Sequence, residues 1–312
     1  MTDSEPSQDR VRSERVWPVG PSASSGGGSA ETGLAGRRGG RVGAAGESDT
    51  VIVERAVELV LGGRVLVRIQ CLPQRLEDLA VGFLRTEGLI ESPRAIAECR
   101  VAPDGGRIEI RADVDPDRLV LFRERVATSS GCGSGASAAA DPSASPGGES
   151  AEAGALPRLA SDARFAPEEI LGRMKDLLQA SVLFRETGGV HAAAITDGRA
   201  ILAFAEDVGR HNAVDKAVGA ALRQGIDLAH LALLTTGRAS SDIVAKAVRA
   251  GIPAVVSRGA VTSRAIELGR SADAAVVGFA RGDRMNVYTA AWRFGLANSA
   301  NANDSDKRRT HR

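Results

Sequence analysis

The chain is predicted to be an α/β protein, and three features of its sequence predict it. From residue 165 onward, short continuous apolar runs alternate with amphipathic helical stretches, the pattern of strands buried between helices. Cap and stop residues punctuate that half, with serine or threonine before an apolar stretch and glycine or proline after it. Ahead of it, residues 49–126 hold shorter runs joined by glycine turns. The expected plan is a largely parallel sheet covered on both faces by helices, preceded by a small β-rich unit with one helix.

Residues 1–48 are rich in Ser, Gly and Arg and bury too little apolar surface to offset ordering, so they are expected to be disordered. Val51–Val57 and Arg64–Gln70 read as strands, the second by its polar–apolar alternation, with Gly62-Gly63 as a hairpin turn. Leu76, Leu79, Ala80, Phe83 and Leu84 share one helical face, and Gly88 is placed to end that helix. Ala95–Val101 and Arg107–Arg111 read as strands around an Asp104-Gly105-Gly106 turn. Cys71 and Cys99 fall in or beside these elements, as packing residues. Residues 127–164 form a loop around Cys132 followed by a low-complexity insert.

The core, residues 165–297, opens on Pro167-Glu168-Glu169, proline and acids suited to a first helical turn. Ile201–Ala205, Leu231–Thr235, Ala254–Ser257, Ala274–Phe279 and Met285–Tyr288 read as strands. Arg210–Arg223, Ser240–Ala250 and Thr262–Gly269 read as helices, the last two capped by Ser240 and Thr262. Residues 298–312 are a polar tail expected to be disordered.

With 312 residues and a net charge of +1, no bulk field argues for nucleic acid or a membrane surface. Lysine is scarce and arginine abundant, so a lone arginine is weak evidence for a phosphate ligand. Three widely spaced cysteines make neither a disulfide framework nor a zinc pattern, and a reducing, cytoplasmic setting is expected. No signal peptide and no apolar run of membrane-spanning length is read.

Two features carry chemistry. Cys132 sits in Thr128-Ser129-Ser130-Gly131-Cys132-Gly133-Ser134-Gly135, among residues too small and polar to bury a thiol. It reads either as a nucleophile or sulfur carrier, or as a stray cysteine in a linker. The second feature is the set of segments after successive core strands, where open α/β sheets bind ligands. These are Glu206–Asn212 with Asp215-Lys216, Thr235–Ser241, Ser257-Arg258-Gly259 with Thr262-Ser263, and Phe279–Arg284. Each brings glycine, arginine and a hydroxyl or acid, the means of binding phosphate through helix N-termini and guanidinium groups. Taken singly, each is also ordinary turn chemistry. There is no Walker-type or dinucleotide-fold glycine pattern and no zinc-deaminase motif. His211, read as lying in a polar loop, is favoured over His191, which reads equally as a ligand contact or a structural histidine.

The motifs Leu76–Leu84 with Glu87–Ile90, Ser129–Gly133, Phe184–Ala193, Glu206–Lys216, Thr235–Arg238 and Phe279–Thr289 occur in one order. In that order the chain resembles the formate dehydrogenase accessory sulfurtransferases (FdhD family) over about residues 50–295. The resemblance implies a three-layer, cytidine-deaminase-like α/β/α core without the deaminase zinc, and no metal site. It implies a homodimer that receives sulfur from a cysteine desulfurase as a persulfide on Cys132. The sulfur would pass to the molybdenum of a bound bis-molybdopterin guanine dinucleotide, for formate dehydrogenase. Cofactor and guanine nucleotide contacts are expected from Phe279, Ala280, Arg281, Gly282, Asp283 and Arg284, with Arg210, His211, Thr236, Gly237, Arg238 and Arg258. Many members carry C-G-x-C-G in the loop. Ser130-Gly131-Cys132-Gly133-Ser134 leaves one sulfur, shifted by one place. A role as a non-catalytic, cofactor-binding chaperone is the alternative.

Overall fold

A computed structural model describes residues 11–16, 47–128, 136–137 and 156–296. Cys132, the rest of its loop, most of the insert and the 298–312 tail lie outside the described residues. In chain order the elements are β1 (Val11–Val16), β2 (Glu47–Ile52), β3 (Arg55–Leu61), β4 (Arg64–Cys71), α1 (Leu76–Thr86), β5 (Ile96–Val101), β6 (Arg107–Ala112), α2 (Pro116–Thr128) and β7 (Ala136–Ser137). The core follows with α3 (Pro167–Ala180), α4 (Val182–Thr187), β8 (His191–Thr196), β9 (Ile201–Asp207), α5 (Arg210–Arg223), β10 (Ala232–Thr235), α6 (Ser241–Ala250), β11 (Ala254–Ser257), α7 (Ser263–Ala272), β12 (Ala275–Arg281) and β13 (Arg284–Val287). No helix among the described residues is long and apolar enough to cross a membrane.

The first unit is a five-stranded sheet in the order β5-β6-β3-β4-β7. Gly62 and Gly63, with φ of 56° and 80°, close the β3–β4 hairpin. Positive φ at both central residues matches the turn to the right-handed twist of the strands. Two expectations are corrected here. The single strand over Val51–Val57 is two, because β2 ends at Ile52 and pairs antiparallel with β1. Residues 11–16 are therefore ordered, although 1–48 was expected to be disordered throughout. Their partner lies across a long stretch of chain, so local composition carries no trace of the pairing. The unit also has a second helix, α2. Its apolar residues run together, with Val120 and Leu121 each 53% exposed and Phe122 buried, and this hides the helical period. Phe122 meets Phe83 of α1 edge-on at 5.8 Å, a favoured geometry for aromatic pairs.

The core sheet runs β13-β12-β11-β10-β8-β9. Helices α5, α6 and α7 cover one face through Ile195, Leu233, Val255 and Val276. Helix α3 covers the other through Ala192, Ala194, Leu234, Val256 and Val277. The sheet is mixed, whereas a largely parallel one was expected. Only β10–β11 and β11–β12 pair in parallel, while β8 runs antiparallel to both β9 and β10. Strand β8 went unread because its His191-Ala192-Ala193-Ala194 start is poor in β-branched residues, which mark strands. Ser240 occupies the α6 cap position without a cap hydrogen bond, whereas Thr262 accepts one from the Ala265 amide.

The two units meet where α1 crosses α5. A Cβ on Gly82 would lie 1.7 Å from the Asp215 carbonyl oxygen, and one on Gly219 1.9 Å from that of Asp78. Only hydrogen fits at either position, so the helix backbones touch. Beside the crossing, buried Lys246 donates to Asp215 (2.9 Å to each oxygen) and Thr86 (3.1 Å), and pairs with Glu87 at 2.7 Å. Thr86 Oγ1 donates to Asp215 Oδ1 at 2.6 Å. This network joins α1, α5 and α6 through charge as well as packing.

Candidate functional site

Strand β9 is antiparallel to β8, and β8 is antiparallel to β10, so β9 runs with β10, β11 and β12. Their four carboxyl ends therefore share one edge of the sheet, where ligands of open α/β sheets bind. Strand β8 adds its first residue to the same edge, because His191 pairs with Asp207. The four segments singled out in the sequence are thus brought together, with His191 among them.

Inside the edge, a set of buried groups fixes the loops. Asp207 forms an ion pair with Lys216 at 2.6 Å. It accepts from the Leu72 amide (3.1 Å), the Gly209 amide (2.9 Å) and Asn212 Nδ2 (2.9 Å). Asn212 also donates to the Gln70 carbonyl, and Lys216 to that of Leu72, both at 2.7 Å. Three polar members of the Glu206–Lys216 motif thus anchor the first unit to the core. A buried charge needs such a set of partners. Asp215 belongs to the helix-crossing network.

Two more loops are stitched by Ser257, whose hydroxyl donates to the Gly237 carbonyl at 2.6 Å and accepts from the Gly259 amide at 2.8 Å. The Thr236 hydroxyl accepts from the Ala192 amide at 2.9 Å and lies 3.5 Å from His191 Nδ1. Gly237 is a position where close approach matters: a Cβ there would sit 2.9 Å from Arg210 Cβ. The Arg258 amide donates to the Thr235 carbonyl at 2.9 Å.

The Phe279–Arg284 segment is a hairpin rather than a loop: β12 continues to Arg281 and β13 begins at Arg284. Pairing shifts register between Gly278 and Arg281, and Phe279 within the shift has φ of 53°. A bulky residue in the left-handed region is strained and held only by its surroundings. Here the Phe279 amide donates to the Gly259 carbonyl at 2.8 Å, and Arg281 Nε to the Arg258 carbonyl at 2.8 Å. The Phe279 ring remains 37% exposed, 5.8 Å from the Arg281 guanidinium. Arg281, Gly282, Asp283 and Arg284 are exposed, while the Ala280 side chain is buried against the α3 face.

Four guanidinium groups line this edge: Arg210, Arg238, Arg258 and Arg281. Among the described residues none of them forms an ion pair within 4.0 Å. Among the described residues the buried Arg210 Nε has no hydrogen-bond partner. Burial lowers the Arg210 pKa, and Arg238 beside it adds to the effect. Burial, then Arg210, pushes the His191 pKa below its usual value, so its ring is neutral near pH 7. His211 is not in a loop: it lies in the first turn of α5, 2% exposed, with Nε2 3.9 Å from Asp242. His191 is the histidine on the edge, and the unread strand β8 is why the sequence ranked it second. No group of three metal-ligating side chains occurs among the described residues.

Both described thiols are suppressed by burial, that of Cys71 pushed up to about 12 and that of Cys99 to about 11. Each sits in or against the core of the first unit.

The FdhD/NarQ family model matches residues 52–295. The chain is 36% identical to the sulfur carrier protein FdhD of Wolinella succinogenes, over 80% of this chain and 84% of that one. To the protein of that name in Bacillus subtilis it is 31% identical, over 77% and 88%. A crystal structure from Desulfotalea psychrophila, of a protein provisionally named a formate dehydrogenase accessory protein, superposes with a TM-score of 0.63. It is 29% identical and covers 80% of this chain and 92% of that one.

Proposed function

We propose that this chain, which belongs to the FdhD/NarQ family, is a sulfur carrier that serves formate dehydrogenase. In this reading the Cys132 thiolate attacks the outer sulfur of a cysteine desulfurase persulfide. The sulfur–sulfur bond of the donor breaks, its cysteine leaves as thiolate, and Cys132 becomes the persulfide, so no external oxidant or reductant is needed. The outer sulfur would then pass to a reduced molybdenum of bis-molybdopterin guanine dinucleotide, the substrate of this reading; the metal gives up the two electrons that make the sulfur a sulfide, the persulfide S–S bond breaks, and Cys132 leaves as thiolate.

The observation that carries this reading is the edge itself. Four guanidiniums that form no ion pair within 4.0 Å among the described residues lie along it with the amino end of α5, and all four suit the diphosphates of a dinucleotide. The exposed, strained Phe279 offers a flat apolar face to a guanine ring. Neutral His191 and Thr236 add hydrogen-bonding groups with no added charge. The His211 and Ala280 side chains are buried and act through position only. Burial of Cys71 and Cys99 leaves Cys132 as the thiol whose neighbours in sequence permit exposure. The cytidine-deaminase-like layering implied by the resemblance is compatible with helices on both faces of a mixed sheet, and a homodimer remains part of the reading.

The test is intact-mass spectrometry after incubation with a cysteine desulfurase and L-cysteine, on the native chain and Cys132→Ala. A gain of one sulfur in the native chain alone is expected. No gain, or an equal gain in both, overturns the carrier assignment and leaves a cofactor-binding chaperone.

A further inference from the structure

We infer that β1 is a strap that holds the His191–Arg210 side of the strand edge in position from behind. The family match begins at residue 52, so Val11–Val16 lies outside it, joined to β2 through residues 17–46. Val11 nevertheless packs into a small apolar cluster with Ile52, Leu72, Leu183, Val190 and Val208.

Four of those contacts lead to the edge. Val190 directly precedes His191, and Val208 precedes Gly209-Arg210. The Leu72 backbone holds both Asp207 and Lys216. Gly189 lies so close to β2 that a Cβ there would be 2.9 Å from Ile52 Cγ2. The segments carrying His191 and Arg210 thus rest on a cluster whose outer layer is the β1–β2 ribbon. The pairing register, Val11 with Ile52 through Val16 with Glu47, places Val11 at the end nearest the cluster.

A two-stranded ribbon is marginally stable by itself. Its docking is therefore one of the low-free-energy openings of the fold. Anything that orders the edge must tighten the strap, and losing the strap must loosen the edge, because coupling between two sites is reciprocal. The ligand half of this statement rests on the nucleotide reading above. The positional half rests on the cluster alone.

The experiment uses the full chain as wild type, Val11→Asp, Val11→Ile and Ser13→Pro, the last disrupting the pairing opposite Thr50. Hydrogen–deuterium exchange is read peptide by peptide, and GDP binding by calorimetry. Val11→Asp and Ser13→Pro are expected to speed exchange about tenfold over residues 47–52, 188–191 and 208–212, and to weaken GDP binding about fivefold or more. Val11→Ile is expected to behave as wild type in both. In the wild type, GDP is expected to slow exchange at residues 11–16. Faster exchange confined to 47–52, with 188–191 and 208–212 at wild-type rates, overturns the strap. Absence of GDP binding to the wild type overturns the nucleotide reading, and the exchange rates then decide the strap by themselves.

Discussion

Replacing Lys246 by methionine tests the buried network at the helix crossing. The side chain of Lys246 is 6% exposed, and its Nζ is 2.7 Å from Glu87 and 2.9 Å from Asp215. Methionine keeps a comparable stem against Phe83, whose ring centroid is 5.2 Å from the ammonium. Glu87 retains Arg125 at 3.2 Å and Arg249 at 4.0 Å. Asp215 loses the cation that touches it and keeps the Thr86 hydroxyl. Removing one partner of a buried pair costs ~3–5 kcal/mol, which for a chain of this size lowers the melting temperature by roughly 6–20 °C. The pH dependence separates charge from packing. Burial already raises the Asp215 pKa from 3.8 to about 6 with Lys246 present, and loss of the cation moves it higher still. A carboxyl whose folded pKa lies above its unfolded value takes up a proton on folding. Its contribution is therefore present in full below the unfolded pKa and is lost as pH rises through the folded pKa. Urea unfolding of Lys246→Met is expected to show the full loss near pH ~8 and a clearly smaller one near pH ~5.5. Adding Asp215→Asn should recover part of the loss at the higher pH. A loss below ~1 kcal/mol, or one equal at both pH values, would refute a dry, charge-coupled network.

Three further outcomes follow from the geometry. Gly219→Ala drives a methyl group into the Asp78 carbonyl and should cost ~3 kcal/mol or more by urea unfolding, since backbone cannot yield as a flexible side chain does; a loss under ~1 kcal/mol contradicts the crossing. Iodoacetamide at mildly alkaline pH should leave Cys71 unlabelled until the chain is denatured, because burial holds its thiol up at about 12; labelling at the rate of a free peptide thiol contradicts that. Arg210→Ala should raise the His191 pKa, measured by NMR titration, because the guanidinium opposes the imidazolium; it should also weaken GDP binding, while an unmoved pKa places the two groups too far apart to interact.

The placement of the candidate segments on one edge was legible in the sequence because glycine, arginine and hydroxyl residues follow each apolar strand run. Strand ends can be read one at a time, and open α/β sheets place them on a common edge. The role of each residue within a segment was not legible. Arg210 and His211 are neighbours on one helical turn, yet one guanidinium reaches the edge and the other ring is buried. Asp207, Asn212 and Lys216 look as ligand-like as Arg210 until Leu72 and Gln70 arrive from another unit to occupy them.

The sequence by itself determined the α/β class, most helices through their periodicity and stop residues, and the family through its ordered motifs. These depend on neighbours within a few residues, where cap chemistry and apolar spacing act. Tertiary structure alone decided the antiparallel pairing of β8 with β10, the ordering of residues 11–16, the burial of His211, and the backbone contact of Gly82 and Gly219. Most of those depend on a partner tens of residues or more away in sequence, although β8 also pairs with its chain neighbour β9 and was hidden by its alanine-rich start. Burial and pairing energies act through space, and one-dimensional patterning does not record which distant segment supplies them.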